Sequence, residues 1–300
     1  MLALALAIAA AIAAGAGAER RLGERAEALT RRLLDAILYA ALPFIAFFVL
    51  ARADFAAAAG IGLALAYVAH AVAGLAAWLI SVRVLHLSPR ATATVIVTTI
   101  MANTGFLGAP LVNTLLGHDE LGPAITYDVL VSGPMFFFVA FAVAAAFTTR
   151  GEPAAARMRT FITRNPPLIA VVAGLIAPDS LAPDVLVDIA RAGIIGLAPV
   201  GFFIVGVQLA AEARGTTLRL SPPVAVVIAL RMVVAPLLLI GLAALTVDLP
   251  DAYLVQAAMP VAINTLVVAH AYDLDRAIAA SALAWSTAIA VAGGLAVAVV

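Results

Sequence analysis

The sequence has no cysteine, no lysine and little charge of either sign: 11% of its 300 residues are charged, against roughly a quarter in an ordinary soluble domain. The missing cysteine excludes disulfides, thiolate metal sites and a cysteine nucleophile. The missing lysine leaves seventeen arginines, which seventeen acidic residues balance to a formal charge of zero. That balance excludes a basic field for nucleic acid and an acidic tail. No glycine-rich phosphate loop follows a strand pattern, four scattered histidines form no zinc constellation, and Ser281 and Ser286 have no triad partners in view. No enzyme is expected, and no cofactor. What the chain does have is apolar residues, 65% of the total. That proportion points to an all-α integral membrane protein, with the lipid bilayer as its first partner.

Windows with little or no charge run over 1–18, 36–51, 55–82, 91–118, 129–149, 165–178, 192–211, 220–247, 252–272 and 277–300, with only Arg231 interrupting the eighth. A spanning helix needs roughly 20 apolar residues to cross about 30 Å of hydrocarbon, and unpaired backbone there is costly, so ten transmembrane helices are expected. The sixth window is the shortest: its 14 residues rise only about 21 Å at roughly 1.5 Å each, so it must lie nearly upright or draw on residues beyond Pro178. Residues 1–18 end in Ala-Gly-Ala, but their arginines follow the apolar stretch where a signal peptide has them in front. They are expected to form an uncleaved helix.

The arginines give the orientation. Fourteen fall in the odd-numbered connections, beginning with Arg20, Arg21, Arg25, Arg31 and Arg32, whereas the even-numbered ones hold only Arg52 and Arg191. Cytoplasmic loops retain arginine, so a multi-pass protein of the plasma (inner) membrane with both termini on the non-cytoplasmic side is expected. The one long polar stretch near the middle, 148–165, divides the chain into a first repeat over 1–147 and a second over 166–300. Five spans per half is an odd number, so the second half enters from the opposite side, giving a 5+5 inverted repeat of the kind found in secondary transporters.

Spans four and nine carry the strongest internal echo. Span four contains Met101-Ala102-Asn103-Thr104-Gly105-Phe106-Leu107-Gly108-Ala109-Pro110, and span nine contains Gln256-Ala257-Ala258-Met259-Pro260-Val261-Ala262-Ile263-Asn264-Thr265. Proline removes an intrahelical hydrogen bond and glycine tolerates non-helical torsions, so both are expected to be broken crossover helices, interrupted at mid-membrane. Broken backbone at that depth survives only inside protein or against a cavity. Two half-helix N-termini would bring partial positive charge to one point, with Asn103, Thr104, Asn264 and Thr265 adding amides and hydroxyls. Such a site suits a small organic anion. Pro134, Pro199 and Pro236 are expected to be simple kinks.

Asn103 to Pro110, the later Ala258-Met259-Pro260, the stretch Ala269-His270-Ala271-Tyr272-Asp273-Leu274, Arg231 to Pro236 and Asn165-Pro166-Pro167 together resemble the auxin efflux carrier family of plant exporters and bacterial permeases. The resemblance covers the whole chain. It implies the ten-helix fold shared with bile-acid sodium symporters. Spans one, two, six and seven would form a scaffold that makes a homodimer, and spans three to five and eight to ten a transport domain moving as an elevator. Asn103 would face substrate, and Pro110 and Pro260 would be the crossing prolines. Asn264 has no fixed counterpart in the plant motif and enters on geometry alone. Bacterial members are associated with small carboxylates such as malonate and malate.

Four intramembrane polar residues have two readings each. Arg231 is either a counter-charge, for a carboxylate substrate or for Asp128, or a structural arginine. Asp128 is either a proton-coupling carboxylate or an interfacial acid. His70 is either a proton relay or a helix-pairing side chain, and Gln256 either reaches the crossover or pairs helices. The sequence thus points to a secondary transporter or facilitator of small organic anions, with proton or sodium coupling open. The alternatives are a sodium-coupled symporter of the bile-acid type and a membrane ligand sensor without transport.

Overall fold

The computed structural model describes residues 2–52, 57–117, 120–148, 166–215 and 218–299. Over these the chain is all-helical apart from one antiparallel bridge between Ala102 and Val261. The first half runs α1 (Leu2–Leu22), α2 (Glu24–Ala36), α3 (Leu42–Leu50), α4 (Ala57–Arg83), α5 (Pro89–Ile100), α6 (Ala109–Leu115), α7 (Leu121–Tyr127) and α8 (Phe141–Phe147). The second runs α9 (Pro166–Ile176), α10 (Asp184–Gly215), α11 (Pro222–Ala229), α12 (Ala235–Ala243), α13 (Asp251–Ala257), α14 (Asn264–Ala271) and α15 (Arg276–Val299). Among the described residues, four helices are long and apolar enough to cross a membrane: Glu24–Leu50, Gly60–Arg83, Pro222–Ala243 and Arg276–Gly293. Of the other apolar windows, 1–18 lies in the 21-residue α1 and 192–211 in the 32-residue α10, and the rest fall in shorter or interrupted helices. The linker expected at 148–165 lies outside the described residues beyond Thr148.

Several helices widen ahead of a proline. Wide turns at Ile37–Ala41, Thr104–Gly108, Asp128–Ser132 and Leu230–Val234 each end two residues before one: Pro43, Pro110, Pro134 and Pro236. In each, the residue in front of the proline donates its N–H five residues back, Leu42 to Ile37, Ala109 to Thr104, Gly133 to Asp128 and Ala235 to Leu230. A proline ring clashes with the carbonyl four residues earlier and brings no N–H of its own. A π-helical turn widens the backbone at that point and keeps the remaining N–H groups bonded. The carbonyl that Pro134 leaves without its donor, on Leu130, accepts instead from the Tyr67 hydroxyl of α4.

Two connections expected as loops are helical. The arginine-rich segment after residue 18 continues α1 to Leu22 and resumes as α2 at Glu24, with only Gly23, at φ 51°, between them. Gly23 accommodates that left-handed torsion without a Cβ clash. Two of the segment's acids are met from the second half: Arg214 pairs with Glu27 at 2.7 Å and with the buried Glu19. Similarly, α10 begins at Asp184, so Asp188 and Arg191 lie on a helix, and Arg52 ties its start by bonds to Asp184 and to the Ala182 carbonyl. Charge density predicted loops here because it could not show that the acids and arginines find each other. The shortest window stops as helix at Ile176 and gains nothing beyond Pro178, which is extended.

Candidate functional site

Non-helical backbone in a lipid-embedded protein needs internal partners for every N–H and C=O. Two interrupted helices supply them to each other. Helix α5 ends at Ile100, Met101 is extended and the chain stays non-helical through Asn103, and helix resumes with the wide turn Thr104–Gly108; α13 ends at Ala257 and α14 begins at Asn264. The gaps run antiparallel. Asn103 donates its N–H to the Pro260 carbonyl at 2.8 Å, and Ala262 donates to Met101 at 3.0 Å. The Val261 N–H is taken by the Ser286 hydroxyl at 3.2 Å. Ser286, which as a lone serine suggested nothing, thus completes the crossing.

Beside this crossing lies a cavity of about 140 Å³, walled by Leu42, Ile45, Phe106, Phe136 and Leu197 and floored by the broken segments. Four sequence-derived binding residues line it: Asn103, Thr104, Gly105 and Asn264. Asn103 is 3% exposed, and its side-chain N–H₂ has no partner. A buried amide donor left unpaired costs on the order of 1–3 kcal/mol, so it is poised for a guest. The Asn103 main-chain carbonyl accepts from the Gly108 N–H at 3.0 Å, and the first-turn N–H groups of Thr104–Leu107 before it point out of the helix start. Asp128 also lines the cavity and accepts a bond from the Thr104 hydroxyl. Ser132, with a buried hydroxyl lacking a partner, is a lining residue that the sequence reading missed. Its place four residues after Asp128, one turn on, was the available signal.

Three expected binding residues do not line the cavity. Pro110 sits in the first turn of α6, seven residues after the non-helical stretch, because the wide turn before it absorbs its geometry. Pro260 lies in the gap, but its contribution is the carbonyl that holds Asn103. Thr265 turns inward and donates to Ala262 at 2.7 Å. The expected pair of open N-termini is also uneven. The Thr265 and Leu266 N–H groups are taken up locally by Ala262 and Ile263, so the start of α14 is less open than that of the Thr104 helix.

Arg231 is fully buried and serves a different end of the same crossing. One guanidinium nitrogen donates to His70 Nε2 at 2.9 Å, and the other donates to the carbonyl of Ala257, the last residue of α13. With Nε2 accepting, His70 carries its proton on Nδ1 and donates it to Ala66 at 2.7 Å. Arg231 thus meets the negative end of a helix dipole and a neutral imidazole, not Asp128, whose bond goes to Thr104. Of the readings open for Arg231, a pairing with Asp128 is not formed, and the side chain makes a triple tie between α4, the Leu230–Val234 turn and α13. Gln256 also works between helices. Its Nε2 donates to the Ala124 carbonyl of α7 at 2.9 Å. A Cβ at Gly108 would fall 1.9 Å from its Oε1, so a side chain there would displace the amide from its present course.

Among the described residues, no group of three or more His, Cys, Asp or Glu side chains is arranged to hold a metal ion. The site offers hydrogen-bond donors, one carboxyl and an apolar wall. It can bind and orient a small polar guest. A family model described as membrane transport protein matches residues 4–293. A search among curated proteins returned no match.

Proposed function

On the premise that the chain belongs to the auxin efflux carrier family of membrane transport proteins, whose members are transporters and not enzymes, we propose that it carries small organic anions across the membrane by alternating access. The observation that carries the reading is the cavity at the meeting of two interrupted helices, where the unpartnered Asn103 amide stands beside an open helix start. In this reading a carboxylate such as malonate or malate accepts from Asn103 and from the first-turn N–H groups after it. Spans one, two, six and seven form the dimerising scaffold, and spans three to five and eight to ten move as an elevator within a 5+5 inverted repeat. Non-helical backbone buried between half-helices is where substrate sites of such transporters lie, which supports the placement.

Uptake of labelled malonate and malate into proteoliposomes tests it, run without a gradient, with an inward proton gradient and with an inward sodium gradient. The expected result is saturable uptake that falls at least tenfold in Asn103→Ala at sub-saturating substrate. Acceleration by sodium would move the reading to the bile-acid type of symporter. Saturable binding without flux would make the protein a sensor. Normal transport by Asn103→Ala would sink the site assignment.

A further inference from the structure

Asp128 is the one ionisable side chain among the cavity's lining residues. Its Oδ1 accepts from the Thr104 hydroxyl, and its Oδ2 lies 3.2 Å from the position that a Cβ on Gly105 would take. The carboxyl therefore rests against the first turn of the Thr104–Gly108 helix. That is where a helix favours negative charge, and a carboxylate cargo would seek the same place. Asn103, nine-tenths buried and with an unpartnered N–H₂, offers a donor from the neighbouring position. Donors suited to an anion and a resident acid thus share one small space.

Among the described residues no cation stands by to reconcile them. The wide turn that carries Asp128 packs against α4, α7 and the turns on either side. From α4 the titratable groups are Tyr67, whose hydroxyl is bonded to Leu130, and His70, which is held by Ala66 and Arg231. From α7 it is Tyr127, fully buried in a separate apolar cluster with Tyr253; Glu120, just before α7, accepts from the Ala252 N–H. The Thr104–Gly108 and Met135–Ala140 turns and α3 present no titratable group toward the cavity, and on α10 the nearest in sequence to the lining Leu197 is Arg191, six residues away. Arg231 is occupied at Ala257. Two ionised carboxylates in this space would repel at short range in a weakly screening surround. Two carboxyls that share a site hold one proton between them.

Resting on the reading of the chain as an organic-anion carrier, we infer that the cavity takes a monocarboxylate with a compact apolar body together with one proton held by Asp128. The proton comes from the aqueous side with the ligand, sits on Asp128 Oδ2 and is donated to the bound carboxylate, while Asn103 donates from the other side. The proton leaves with the cargo. The apolar wall of Leu42, Ile45, Phe106, Phe136 and Leu197 receives the body of the ligand. A volume of about 140 Å³ is close to the roughly 150 Å³ of an apolar cavity that holds benzene. Away from Asn103 and Asp128 the described lining offers a second carboxylate only the uncharged Ser132 hydroxyl and Asn264 amide, so a dicarboxylate is disfavoured.

Benzoate is the probe. Its equilibrium binding to the purified full-length protein in nanodiscs is measured from pH 5 to pH 8, with proton uptake read by calorimetry in buffers of different ionisation enthalpy. The same series is run on Asp128→Asn, whose folding is checked by size exclusion, and with malonate and benzylammonium as comparison ligands. The expected result is that wild-type affinity for benzoate falls about tenfold per pH unit once Asp128 is ionised, with about one proton taken up per ligand. Asp128→Asn binds benzoate with the same affinity across the range, and malonate binds the wild type at least tenfold more weakly. Flat wild-type affinity without proton uptake overturns the inference while leaving the anion reading intact, as does malonate binding as tightly as benzoate. Benzylammonium binding that Asp128→Asn abolishes overturns it in favour of a cation site. If the folded wild type binds no carboxylate at any pH, malonate and malate included, the anion reading falls and this inference with it.

Discussion

The two helix ends that meet at the crossing are finished in opposite ways. At Ala257 the carbonyl end of α13 is closed: Arg231, fully buried, donates to it and is itself steadied by His70. At Thr104 the N–H end of the following helix is open, bordered by an amide without a partner and a carboxyl that accepts only from Thr104. Both ends carry about half a unit charge from the helix dipole, and both lie in the interior. The difference is what faces them. A side chain that fills a helix end makes a joint, whereas one that stops short of it leaves a seat for a ligand.

Substituting the closed end should produce the largest effect. Arg231→Met removes two buried bonds and leaves the Ala257 carbonyl and His70 Nε2 without donors. A cost of about 2–6 kcal/mol is expected, roughly 1–3 kcal/mol for each of the two buried acceptors left unpaired. It should appear as a sharply lower melting temperature in detergent and poor recovery of monodisperse protein. A variant that melts normally yet fails to transport would reverse the contrast and make Arg231 part of the seat. His70→Phe is expected to be milder, at about 1–3 kcal/mol, because it strips a single acceptor from Arg231. Its thermal shift should be largely absorbed in the Arg231→Met background if the two act as one tie, which a double-mutant cycle reads directly.

At the open end the signs should be exchanged. Asn103→Ala is expected to leave the melting temperature within a few degrees of wild type, since its side-chain N–H₂ has no partner in the protein. Carboxylate affinity should fall about 10- to 100-fold, the range for losing a hydrogen bond to a charged group at roughly 1.5–3 kcal/mol. Thr104→Val keeps the shape and removes the hydroxyl that steadies Asp128. A change of only a few-fold in affinity is expected from the loss of one such bond, about 0.5–1.5 kcal/mol. A large drop in stability from either substitution would mean that this end too is structural.

How far the sequence could be read follows the same division. The apolar windows announced a membrane protein, and the Asn103 and Pro260 segments were recognisable as places where helix fails, because proline, glycine and asparagine act locally. Pro110 misled because its effect was assigned to itself, while the chain absorbs it in the wide turn ahead of it, as at Pro43, Pro134 and Pro236. The arginines after residue 18 misled in another way. Charge is a property of residues, but a loop is a failure to pair, and Arg214 lies more than 180 positions from Glu27. Ser132 carries only its spacing from Asp128 as a mark of its role, and Leu197 carries none at all.

The sequence by itself determined that this chain lives in a membrane, that its backbone is helical, and which two segments must leave the helix, since hydrophobicity and backbone torsion are settled within a few residues. Only the tertiary structure decided that Asn103 and Pro260 bond to each other, that Arg231 closes Ala257 and not Asp128, and that Asp128 faces an open helix start. Those outcomes depend on which groups 24 to 161 positions apart become neighbours in the interior. In a lipid-embedded interior most polar groups take whatever partner the packing of whole helices brings within reach, and the Asn103 amide is one that packing leaves open.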